Sequence, residues 1–195
     1  MRQFGISQEQ INCGKPIWQC YSTAMNADGK LMDILTGYAA SHQHPFNVFV
    51  HMLGIPTIML GVLIPLSWLG MEVSGIVLNL AHVAMIGFFL FYLTLDKLFA
   101  IVFLIFALLI AQLAGAIGEL PLARSATIAA VAFGGGYAAQ FIGHAVEKSM
   151  PVLVKHPVQA NLAAPFFTVV EVFKLLGLRG DLFRKVQRRI EEAGD

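Results

Sequence analysis

The residues able to do chemistry stand in two short stretches. His42, His44 and His51 fall in the first, His144 and Glu147 in the second, and together they account for four of the six histidines. An imidazole inside a hydrocarbon environment is costly, so it marks a ligand, proton or ion site. Asn47 and His51 are four residues apart and share a face of one helix. His144 and Glu147, three apart, share a face of another. Two helices can thus bring two or three imidazoles and one carboxylate together. Such a set suits iron, zinc, copper or nickel, and two histidines with a carboxylate suit non-haem Fe(II) with open coordination positions; zinc is the less favoured metal. Gln140, four residues before His144, is a candidate for the outer hydrogen bond of a metal-bound imidazole. The plainer reading has His51 and His144 hydrogen-bonding across helices or capping them.

The elements that position these groups follow from composition. Of 195 residues 57% are apolar and 13% charged, against roughly 25% charged in a soluble domain. Four apolar runs, near 49–69, 75–95, 98–118 and 126–146, each reach the roughly 20 residues of a membrane helix. The expected fold is all-α: a polytopic bundle of about four transmembrane helices with an interfacial C-terminal helix. It divides into a polar N-terminal segment (1–32), a membrane-embedded bundle (33–177) and a basic amphipathic tail (178–195). The first 30 residues lack an apolar core after a basic start and do not read as a cleavable signal. Cys13 and Cys20 support neither a disulfide framework nor a zinc ribbon. The net charge of +1 gives no reason to expect nucleic acid.

Short joints make neighbouring helices antiparallel, so both termini share one side. That side carries Arg2, Lys15, Lys30, Lys97, Lys148, Lys155 and the six basic residues from Lys174 to Arg189, and the other only Arg124. The bias predicts cytoplasmic termini, in a bacterial inner membrane or, alternatively, an endomembrane. The tight joint at Asp96, one turn after Tyr92, leaves a re-entrant pair as the alternative topology. In this arrangement the two histidine stretches lie at one depth. His82, about 13 residues from the cytoplasmic end of its run and so roughly 20 Å away, stands apart, and an interhelical hydrogen bond is expected for it. Pro45 starts the first span and pushes His44 toward an extended, capping conformation. His44 and His156, each beside a proline, are expected in solvent. Gly134, Gly135 and Gly136 lie inside the fourth run, where they permit close helix contact and form no phosphate loop. The run 162–176 reads as an interfacial helix or a wall against the bundle. In the tail, Leu182, Phe183, Val186 and Ile190 oppose Arg184, Lys185, Arg188 and Arg189, which suits an anionic membrane surface or an exposed basic tail.

Two blocks resemble the membrane family of 2-hydroxy fatty acid dioxygenases, ferrous-iron enzymes of fatty acid α-oxidation. The first is YAASHQHPFNVFVHMLGIP, with Tyr38, His42, Pro45, Asn47, His51 and Pro56. The second is QFIGHAVEKSMP, with Gln140, Phe141, Gly143, His144, Glu147, Lys148 and Pro151, followed by Gln159 and LAAPFF at 162–167. The likeness runs from about Tyr38 to Leu176. It implies His42, His51 and His144 as catalytic iron ligands, with Glu147 a weaker fourth. Tyr38, Asn47, Gln140 and Lys148 fall to substrate or supporting roles. The implied reaction takes a 2-hydroxy fatty acid and O2 to a fatty acid one carbon shorter, with the acyl tail between spans and the polar head at the metal. The interval between His144 and Glu147 is three residues where some relatives have four. His44 stands where another polar residue is expected, and His82 has no family counterpart. Two other classes compete: a non-catalytic lipid-binding or scaffold membrane protein with a structural metal or none, and a metal or proton transporter. The last would need polar groups at successive depths, which the middles of the first, third and fourth runs lack.

Overall fold

The computed structural model describes residues 27–40, 42–73, 76–149, 151–155 and 157–194. The chain forms α1 (Ala27–Ala40), α2 (Pro45–Ser67), a hairpin of β1 (Gly70–Val73) and β2 (Ile76–Asn79), α3 (Leu80–Leu93), α4 (Lys97–Gly118) and α5 (Leu122–Glu147). A single turn α6 (Val152–Lys155), α7 (Pro157–Leu175) and α8 (Gly180–Gly194) follow. The all-α membrane bundle expected from the sequence is what forms. Most of the N-terminal segment, with both cysteines, and His156 lie outside the described residues.

Among the described residues three helices are long and apolar enough to cross a bilayer, α2, α4 and α5, of 23, 22 and 26 residues, and the bent pair of α7 and α8 passes the same test when taken together. The second apolar run differs from expectation. Ile76 to Asn79 pair antiparallel with Gly70 to Val73, and Asn79 then caps α3 by accepting from the His82 backbone N–H at 3.2 Å. What remains is a helix of 14 residues, about 21 Å long, short of a hydrocarbon layer about 30 Å thick. Direction still alternates from α2 to α5, with Gly118 of α4 packed on Ser67 and Trp68 at the hairpin end. His82 begins α3 at that same end, remote from His51. The interhelical bond expected of it is missing at Nδ1, which is buried without a partner among the described residues.

Helix α2 is central. Along α5 it runs antiparallel in a seven-residue register, Asn47 meeting Gly143, Gly54 meeting Gly136, and Gly61 meeting Ala129 and Phe133. A Cβ on Gly61 would stand 2.6 Å from the Phe133 backbone nitrogen and 2.9 Å from the Ala129 carbonyl oxygen. Such backbone-to-backbone approach is how apolar helices associate in lipid, where no hydrophobic force drives them together. Of the three consecutive glycines only Gly136 lies in this seam. Gly134 and Gly135 face open space.

Helix α7 is the wall foreseen as one of two options. Phe166, Phe167, Val169, Val170 and Phe173 are buried, and Tyr92 of α3 donates to the Leu162 carbonyl at 2.7 Å. The chain then bends by 112° into α8. Gly177 (φ 68°) and Arg179 (φ 57°) take left-handed conformations in the bend. Asp96 caps α4 through Leu98 N and Phe99 N, both at 3.0 Å, and its second oxygen accepts from Arg179 at 2.6 Å. The apolar stripe of α8 faces protein: Val186 is buried, Leu182, Phe183 and Ile190 join the core, and Arg189 pairs with Asp33 of α1 at 2.9 Å. The opposite side is left exposed, with Arg184, Lys185 and Arg188 among Asp181, Gln187, Glu191 and Glu192.

Candidate metal centre

His42 lies in the joint between α1 and α2, His51 two turns into α2, and His144 in the last turn of α5. The seam between α2 and α5 sets the two helical histidines level, because α-helical side chains lean toward their own N-terminus and these helices are antiparallel. The three rings gather with centroids 4.4 Å (His42 to His51), 5.0 Å (His42 to His144) and 4.9 Å (His51 to His144) apart. All three residues are buried.

Their tautomers are fixed from outside. His42 Nδ1 donates to the Tyr38 carbonyl at 2.8 Å, and His51 Nδ1 to the Asn47 carbonyl at 3.0 Å. His144 Nδ1 lies 2.9 Å from Ser149 Oγ. A carbonyl can only accept, so the Nε2 atoms of His42 and His51 carry lone pairs, and the Ser149 hydroxyl accommodates the same state at His144. Each of the three offers one ligand nitrogen within 4.8 Å of the others. Some point therefore lies within about 2.8 Å of all three, against the roughly 2.0–2.1 Å of an imidazole–metal bond, a gap that modest side-chain rotation closes. His42 Nε2 is buried and has no hydrogen-bond partner among the described residues. A buried orphan acceptor of this kind needs an explanation, and a cation supplies one. Burial, with His51 beside it, pushes the His42 imidazole down to about 3, so at neutral pH it is in the unprotonated form that a metal requires.

The supports are specific. Tyr38 stacks on His42 at 3.9 Å and 7°, and the Phe167 ring of α7 packs against Tyr38 at 3.6 Å. Burial raises the Tyr38 phenol far above its ordinary value, so it stays neutral. Glu147 does not join the imidazoles. Its Oε1 accepts from the backbone N–H groups of Gln43 (2.7 Å) and His44 (3.3 Å), and its Oε2 from the Asn47 amide. A carboxylate at the start of a helix meets free N–H donors and the positive end of the dipole. Glu147 thus ties the chain beside His42 and the residue that holds His51 to the end of α5. His44 is exposed and caps α2, its Nδ1 accepting from Phe46 N at 3.2 Å. The outer partner of His144 is Ser149, which the sequence reading did not single out, and not Gln140. Lys148 (φ 56°) makes the turn that brings Ser149 back, and its own side chain is exposed.

A cavity of about 230 Å³ adjoins the imidazoles. Tyr38, Tyr137, Gln140 and Asn161 add polarity near the rings, and away from them the walls are apolar, with Ile55, Ile58, Met59 and Leu63 of α2 facing Met85 and Phe88 of α3. An amphipathic ligand with a metal-binding head and a hydrocarbon tail fits this gradient.

Fold and site together define a helical membrane protein with a buried three-histidine cluster, able to hold a metal, at one end of its bundle. Residues 30–176 match the 2-hydroxy-palmitic acid dioxygenase Mpo1-like family, and the chain belongs to that family. Comparison with curated proteins and with solved structures gives no match.

Proposed function

We propose that this chain is an Fe(II)-dependent dioxygenase that shortens 2-hydroxy fatty acids by one carbon at the membrane interface. The observation that carries the reading is the convergence of three imidazoles, their Nδ1 atoms engaged from outside, at the polar end of an apolar cavity. His42, His51 and His144 would hold the ion, and three protein ligands leave positions open for exogenous groups. Bound Fe(II) would bind the 2-hydroxy acid head and supply the electrons that activate O2. The balance closes without a further reductant: O2 and the 2-hydroxy acid give the shorter acid, carbon dioxide and water as the C1–C2 bond breaks.

The protein's own contribution is placement. Tyr38, Phe167, Asn47 and Ser149 fix the rings, and Glu147 fixes the α2 terminus. Gln140 and Asn161 offer amides to the head group, and Ile55 to Leu63 keep water from the tail. The site end of the bundle also carries Lys97, Lys148, Arg179, Arg184, Lys185 and Arg188, whereas Arg124 begins α5 at the other end. By the positive-inside bias the site faces the cytoplasm.

The test is anaerobic loading of the purified protein with Fe(II), followed by oxygen uptake and product analysis with 2-hydroxypalmitate. Pentadecanoate formed in proportion to O2 consumed is the expected result, abolished in His51→Ala and His144→Ala. Tight metal binding with neither oxygen uptake nor product would overturn the enzyme reading in favour of a lipid-binding protein with a structural metal.

A further inference from the structure

The cavity has two kinds of boundary. Against α1 and α7 it is closed: Tyr137 of α5 donates to Asn161 Oδ1 of α7 at 2.9 Å, and Tyr38, backed by Phe167, covers His42. Toward the bilayer it is open. Val62 and Phe141 line the cavity and are also 41% and 48% exposed, so here the wall is also the outer surface. Helix α3 packs mainly on α4, and α5 mainly on α2, which leaves the side between α3 and α5 as the opening.

The two long walls end differently. On α2 the lining continues from His51 to Leu63, twelve residues or about 18 Å. On α5 it runs from His144 through Phe141 to Tyr137 and stops. One turn on, the wall has two positions: Phe133, beside α2, whose ring meets Tyr137 edge-on at 4.9 Å, and Gly134 on the outer side, seven residues before Phe141 and about 15 Å along the axis from His144. A Cβ at Gly134 would meet nothing within 4 Å. On its outer side the wall thus falls from the Phe141 ring to a bare backbone while the α2 floor still continues.

We propose that the acyl tail enters and leaves sideways from the bilayer between α3 and α5, passing over Gly134, and that the missing side chain there admits long chains. The proposal rests on the reading of the cavity as a 2-hydroxy fatty acid site. Head and first carbons lie beside Gln140 and Tyr137, and the remainder crosses the gap at Gly134 into lipid. Gly135 supplies a matched control: it too has open space around it, but it points about 100° away from Gly134 around α5.

The experiment compares Gly134→Trp, Gly134→Leu and Gly135→Trp with the unaltered protein on 2-hydroxypalmitate and 2-hydroxyoctanoate, each variant first checked for Fe(II) content and thermal midpoint. Gly134→Trp is expected to lower kcat/KM for the long substrate by roughly tenfold or more, the size of effect that steric mismatch in an apolar pocket produces. It should leave the short substrate within about twofold, with Gly134→Leu intermediate and Gly135→Trp unchanged on both. Equal losses on both substrates, no loss on either, or the same selective loss in Gly135→Trp would each overturn the proposal. If Gly134→Trp does not fold, the selective loss must still appear in Gly134→Leu. Failure of the unaltered protein to turn over either acid would instead remove the dioxygenase reading.

Discussion

Two helix pairs in this bundle are held in opposite ways. Along α2 and α5 the helices close up on glycines, with Gly54, Gly61 and Gly136 bringing backbone against backbone and Gly143 admitting the Asn47 side chain. Between α3 and α4 the contact is made by side chains: Tyr92 meets Phe103 edge-on at 4.6 Å, and Phe88 lies 6.4 Å from the same ring. Interlocked side chains have rotamers with which to adjust, whereas a glycine seam has none. His51 and His144 sit on the rigid pair, and no ligand candidate sits on the adaptable one. Placing a metal to within a fraction of an ångström calls for the rigid pair.

The strongest way to break that contrast is Gly61→Leu. Its Cβ alone would press on the Phe133 nitrogen and the Ala129 carbonyl, and backbone cannot rotate away. We expect loss of the folded bundle in detergent, seen as aggregation in size exclusion and no retained Fe(II). A variant with the normal melting point would show that the seam is not what holds the site. Smaller effects should follow from Glu147→Gln and Ser149→Ala, each lowering Fe(II) affinity by about 10–100-fold, as losses of outer support to metal ligands commonly do. Glu147→Gln should also lower the melting point, because it removes the carboxylate that accepts from Gln43, His44 and Asn47. Titration with Fe(II) and thermal unfolding of the metal-free proteins separate the two contributions.

Much of this was legible in the residues. Spans long enough for the bilayer, the helix start at Pro45, and the shared level of His42, His51 and His144 follow from hydropathy, proline chemistry and helical rise. What escaped depends on contacts that no periodicity encodes. The run 75–95 is apolar apart from Asn79, His82 and Thr94, and a short apolar stretch does not tell strand from helix; its first residues pair with the chain after Leu69 instead. Glu147 shares a face with His144 as expected, but the start of α2 offers its carboxylate two backbone N–H donors and an amide, and there it binds. Ser149 lies past the helix end, reached only through the left-handed turn at Lys148. The α8 stripe has the pattern of a membrane-surface helix, but it packs into the core with Leu31 and Leu35 of α1, and Arg189 pairs with Asp33 beside it.

The finest test sets one added methyl against several removed atoms. In Gly143→Ala the new Cβ would strike Asn47 Oδ1. Asn47 is fully buried, bound to Glu147 by its amide and to His51 by its carbonyl, so any shift reaches the imidazole directly. Fe(II) affinity should fall roughly tenfold with only a small change in melting point. Phe103→Leu deletes more from a fully buried ring and leaves space that Tyr92 and Phe88 partly refill. It should cost on the order of 1–2 kcal/mol of stability and leave Fe(II) affinity unchanged within titration error. If instead the two variants lower affinity in proportion to lost stability, the helix pairs differ in composition only, and the glycine seam has no special part in holding the metal ligands.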